Sequence, residues 1–137
     1  MKKETLLTGR HRLKEVIYEE EGAAWYFNFD QELSIRLECF WRLFSADGIL
    51  WTSNDHNQKF GLETPVDLFK EINTILKDQE TKKVERTDKS GDIKIDFDNG
   101  LYLEAYTDSS GYESWEINWK EKIYVLYFYC LNYLKKG

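Results

Sequence analysis

A chain of 137 residues, 42% of them hydrophobic, is the size of one domain and large enough to bury a core without a metal or a disulfide. The formal charge of −6 argues against a nucleic-acid partner, because phosphate binding needs a basic surface. Met1–Arg10 carries basic residues but no apolar run, so no secretory signal is expected, and the longest apolar run, Ile123–Leu131, is too short to cross a bilayer. The expected setting is the cytoplasm, with no membrane partner.

Thr8–Glu20 fits either a helical turn through Leu13, Val16 and Ile17 or a bulged strand, and strand is the reading preferred. Glu19-Glu20-Glu21-Gly22 makes a charged turn, after which Trp25, Phe27 and Phe29 alternate with Tyr26, Asn28 and Asp30 as a strand does. A loop at Asp30-Gln31-Glu32 places Phe29 against Leu33, Phe27 against Ile35 and Trp25 against Leu37. That partner strand is expected to run on through Cys39, Trp41 and Leu43. A turn at Asp47-Gly48 then pairs Leu43 with Ile49 and Trp41 with Trp51, completing a first meander.

Ser53–Gly61 is a polar connection. A helix over about residues 65–77 follows, with Thr64 as N-cap and Pro65 in the first turn. Its apolar side is Val66, Leu68, Phe69, Ile72, Ile75 and Leu76. Thr81–Asp88 reads as a solvated edge strand.

Asp92–Trp119 reads as a second meander. A two-residue turn at Asn99-Gly100 would set Ile95 opposite Glu104, so the pattern favours a three-residue loop with Gly100 left-handed. That loop pairs Phe97 with Leu101, Ile95 with Leu103 and Ile93 with Ala105. A similar loop at Ser109-Ser110-Gly111 would bring Leu103 to Ile117 and Leu101 to Trp119. Ile123–Tyr129 is apolar on both faces and reads as a strand, with a helix as the competing period. The fold class is α+β: a mainly antiparallel sheet, two meanders, with one covering helix.

Chemistry is sparse in this pattern. Asp55-His56 is the nearest thing to an acid–base pair, and His11 is the only other histidine, so no metal site and no cofactor are expected. A loop histidine held by turn hydrogen bonds is the commoner outcome. In Tyr112-Glu113-Ser114-Trp115 the Glu113 carboxylate shares a strand face with Trp115, and Arg42 or Arg36 is a candidate counter-charge. Ser109 and Ser110 lack the surroundings of a nucleophile. Cys39 and Cys130 read as buried small hydrophobes. Tyr18, Tyr26, Phe40, Phe44, Tyr102 and Tyr106 fall opposite the core faces and form a candidate interface, for another protein or for a homodimer through aromatic strands.

Asn99-Gly100, Leu103-Glu104 and the block Ser109–Trp115 resemble a family of small bacterial proteins of unknown function in which NG, LE and SSGYESW recur in that order. Trp41-Arg42-Leu43 and Gly9-Arg10 are similar to it as well. The family's glycine-rich strand end is replaced here by Tyr129–Leu134. The resemblance implies an immunity-type or interaction role in toxin systems. The expectation is therefore a non-enzymatic protein-binding module drawing on Arg42, Asp55, His56, Tyr112, Glu113 and Trp115. The alternative is a small-molecule binder or hydrolytic enzyme using Asp55, His56 and Glu113.

Overall fold

The computed structural model of the chain describes residues 2–109, 114–119 and 122–125. Eleven strands are described: β1 (Lys3–Thr8), β2 (Leu13–Glu19), β3 (Ala24–Phe29), β4 (Leu33–Leu37), β5 (Trp41–Ser45), β6 (Gly48–Thr52), β7 (Thr81–Thr87), β8 (Ile93–Phe97), β9 (Tyr102–Ala105), β10 (Trp115–Trp119) and β11 (Lys122–Val125). One helix, α1 (Leu68–Leu76), joins them, so the α+β class holds. The strands make a six-stranded sheet, β1-β7-β8-β9-β5-β6, and a five-stranded sheet, β11-β10-β4-β3-β2, all antiparallel.

Local pairings follow the alternation. Trp25 lies opposite Leu37 and Phe27 opposite Ile35. Ile95 meets Leu103, Ile93 meets Ala105, and Gly100 turns the loop at φ +86°. The strand reading of Thr8–Glu20 holds over β2, which carries a bulge near Leu13.

The long-range assembly departs from one sheet under a helix. The single strand expected from Leu33 to Leu43 breaks at residues 38–40: β4 lies in one sheet and β5 in the other. Leu33, Ile35, Leu37, Cys39, Trp41 and Leu43 stay buried throughout, because a strand that changes sheet at a sandwich corner keeps its inner side inward. The β9–β10 hairpin is likewise replaced. Leu103 pairs with Leu43, and Ile117 with Ile35. Tyr106 N–H donates to Phe40 C=O and Glu38 N–H to Ser114 C=O, both at 2.9 Å, so this connection rounds the same corner beside the first.

A second corner is built in the same way. Thr81 N–H donates to His11 C=O, Leu13 N–H to Gln79 C=O and Asp78 N–H to Leu13 C=O, each at 2.9 Å, and Arg12 bridges Glu80. The chain from β1 to β2 and the chain leading into β7 cross together. Three further expectations change. β7 is interior, with the unanticipated β1 outside it. Leu43 pairs with Trp51, and a bulge at Leu50 sets Ile49 opposite Phe44. The helix starts three residues after Pro65 because Val66 is held in the preceding loop, bonded to Gln58 C=O and Asn57 N–H, leaving Asp67 to cap the Lys70 N–H.

The core lies between the sheets. Trp41 of β5 packs edge-on to Trp25 (centroids 5.3 Å) and Phe27 (5.9 Å) of β3. Leu68, Ile72 and Leu76 of α1 join the same cluster. On another side of the helix, Asn73 accepts from Val16 N–H at 2.7 Å and donates to Val16 C=O at 2.9 Å, as a neighbouring strand would. The helix thereby covers the edge strand β2. The strand expectation for the tail holds for Ile123–Val125, and the remainder lies outside the described residues. Among the described residues, no helix is long and apolar enough to cross a membrane.

Candidate functional site

The outer face of the six-stranded sheet carries the residues that the alternation turns away from the core. Cross-strand neighbours place Glu85 beside Lys94, Lys94 beside Glu104 and Glu104 beside Arg42, a row of alternating charge over four strands. Phe44 lies beside Tyr102 in the next row.

Towards β5 and β9 the face becomes aromatic. Phe44 stacks on Tyr102 with centroids 4.9 Å apart and planes 8° from parallel, and Phe40 stacks on Tyr106 at 5.8 Å. The Arg42 guanidinium sits between the pairs, 5.1 Å from the Phe44 centroid and 4.8 Å from that of Tyr106. Arg42 Nε donates to the Tyr106 hydroxyl at 2.9 Å, and that hydroxyl donates to Glu104 Oε2 at 2.7 Å. Lys94 Nζ continues the array 4.5 Å from the Tyr102 centroid. Each of these side chains is half-buried, so their rotamers are set before any partner arrives.

Burial and the hydrogen bond to Glu104 push the Tyr106 phenol up to about 12, with Arg42 pulling the other way. Because the folded value is raised above the ordinary 10.0, this group's stabilising contribution is full below pH 10 and is lost as pH rises through about 12. Tyr106→Phe is expected to remove that share of the alkaline destabilisation, read as a shallower fall of Tm with pH. Tyr106 is also expected to be the late step in a phenolate absorbance titration, absent from the variant.

The residues singled out from sequence do not converge. Asp55 Oδ2 accepts from Thr52 N–H at 2.8 Å in the capping box of a short 3-10 turn, Ser53–Asp55. His56 Nδ1 accepts from Leu68 N–H at 3.1 Å, capping α1, with its ring against Tyr18 (4.9 Å) and Trp25 (5.4 Å). His56 therefore packs on the inner side of the sheets, whereas Arg42 belongs to the outer face. Trp115 is buried, and its Nε1–H donates to Gly91 C=O at 2.7 Å. Tyr112 and Glu113 lie outside the described residues. Arg36, the other candidate counter-charge, pairs with Glu38 at 3.0 Å and Glu116 at 3.3 Å on the five-stranded sheet.

Of the six aromatics expected to share a face, four do. Tyr18 packs at 4.5 Å on Trp25, and Tyr26 belongs to the other sheet, near Glu19. Sequence reading passed over Lys94 and Glu104, whose role depends on β9 lying between β8 and β5. Among the described residues no group of three or more His, Cys, Asp or Glu is placed to hold a metal ion.

Cys39 is buried between the corners. Burial first, then the nearby Asp108 and Asp92 carboxylates, push its thiol up to about 12. In a Cys130→Ser background the native protein is expected to resist maleimide at mildly alkaline pH and to react once denatured, a contrast read by mass spectrometry.

No protein-family model matches the chain, and neither does any curated protein or solved structure.

Proposed function

We propose that the chain is a non-enzymatic binding module that engages another protein through the aromatic half of its six-stranded sheet. The observation that carries this reading is the prearranged stack of Phe40, Tyr106, Arg42, Phe44 and Tyr102 on one outer face. Aromatic and arginine side chains supply most of the energy at protein interfaces, and rings already held in place lose little entropy on binding. The net charge of −6 turns nucleic acid away and favours a partner with basic surface around its contact. An immunity-type inhibitor in the bacterial cytoplasm is the specific form of this reading, and it rests on the resemblance of the NG, LE and SSGYESW segments.

A hydrolytic reading has less support. Asp55 and His56 are each committed to a backbone N–H. The recess between Lys3, Asp92, Lys94, Glu104 and Tyr106 on the outer face holds about 110 Å³, well below the roughly 300 Å³ at which ligand pockets begin.

The test uses the whole protein as bait in cell extract, beside a Phe44→Ala/Tyr102→Ala variant and an exposed control, Lys82→Ala. A stoichiometric partner retained by the native chain and the control is expected to be lost from the double variant, with titration of the purified pair giving a weakening of at least about tenfold. Equal retention by all three, or no stoichiometric partner, would overturn the proposal.

A further inference from the structure

The sheet edges whose side chains are described are blunted in different ways, with one exception. β1 presents Lys3 and Glu4, the latter ion-paired to Arg86, and β2 is covered by Asn73 of the helix. β6, Gly48-Ile49-Leu50-Trp51-Thr52, holds no charge and no proline. Its bulge at Leu50 is a device that elsewhere turns an edge away from pairing, but here the extra residue is an exposed leucine rather than a lysine. Ile49 is 52% and Leu50 41% exposed. Ile49 lies opposite Phe44, so this apolar strip runs on into the Phe44–Tyr102 stack.

We propose that β6 is a self-association edge, on which two copies of this chain pair antiparallel about a two-fold axis. An extended occupant is required by the free backbone of an edge strand, and β6 itself is such a strand, charge-free and apolar. Antiparallel pairing of a strand with its own copy closes symmetrically, which limits the assembly to a dimer. Two chains that each carry −6 repel on average, and β6 lets them meet without opposing carboxylates. Placing the axis between Leu50 and Trp51 sets Ile49 of one copy beside Thr52 of the other on the outer side. The pairing leaves both aromatic faces open and does not depend on what binds them.

The experiment is sedimentation of the whole chain over a wide concentration range. The weight-average mass is expected to climb from 16.4 kDa toward twice that value, and to climb further at higher salt as the like charges are screened. Ile49→Lys and Leu50→Lys are expected to weaken the dimer at least about tenfold while leaving the melting temperature and circular dichroism unchanged. In a Cys130→Ser background, Leu50→Cys is expected to give a disulfide-linked dimer on mild oxidation, and Lys3→Cys on β1 is not. A 16.4 kDa species at every concentration overturns the proposal, as does a dimer indifferent to both lysines or one that crosslinks through β1 instead. A monomer that captures a different protein in an Ile49-dependent way assigns the edge to that protein and equally overturns self-pairing.

Discussion

Trp41→Ala is expected to lower stability by about 3–5 kcal/mol, since removing a fully buried tryptophan loses its transfer energy and leaves a cavity. Native domains hold only about 5–15 kcal/mol in total, so the variant should melt far below the native chain and populate unfolded protein. The site magnifies the loss because Trp41 stands one residue past the corner and touches Trp25 and Phe27 on the opposite sheet. Trp41→Phe separates packing from polarity. The Trp41 indole N–H has no hydrogen-bond partner among the described residues, so phenylalanine gives up volume and no hydrogen bond. Trp115→Phe loses volume and also strands the Gly91 carbonyl, adding about 1–3 kcal/mol. Chemical denaturation should rank Trp41→Phe above Trp115→Phe, and the reverse order would refute this account of the two indoles.

Asn73→Leu is the second large effect. Leucine nearly preserves volume but leaves Val16 N–H and C=O without the amide that pairs them, at about 1–3 kcal/mol for each group. Asn73→Asp tests the geometry, because a carboxylate still accepts from Val16 N–H but cannot donate to its carbonyl. A cost between those of the native chain and Asn73→Leu is expected, together with faster amide exchange along β2. If Asn73→Leu melts with the native protein, the helix does not protect this edge.

Hairpins were legible in the residues because alternation and turn chemistry are local. Phe27 with Ile35 and Ile95 with Leu103 follow from counting through a three-residue loop. The two-sheet arrangement was not legible, since Leu37, Cys39 and Trp41 keep one inward rhythm whether the strand continues or changes sheet. The helix start was misplaced for a similar reason. Thr64-Pro65 carries a sound local signal, and the backbone bonds of Val66 to Asn57 and Gln58 override it. Of the candidate site, the outward aromatics could be read from parity alone. Their grouping could not, because Phe44 meets Tyr102 only once β9 takes its place beside β5, a pairing between residues far apart in the chain.

The shared corners have a consequence for how the molecule can be divided. The chain before the Gln58–Val66 loop supplies β1 through β6, and the chain after it supplies α1 and β7 onward. Each sheet takes strands from both halves, and each corner is one segment of the first half hydrogen-bonded to one of the second. Neither half is a folding unit by itself. A single proteolytic cut at the exposed Phe60-Gly61 tip is expected to yield two fragments that co-elute as one native-like complex and separate only on denaturation.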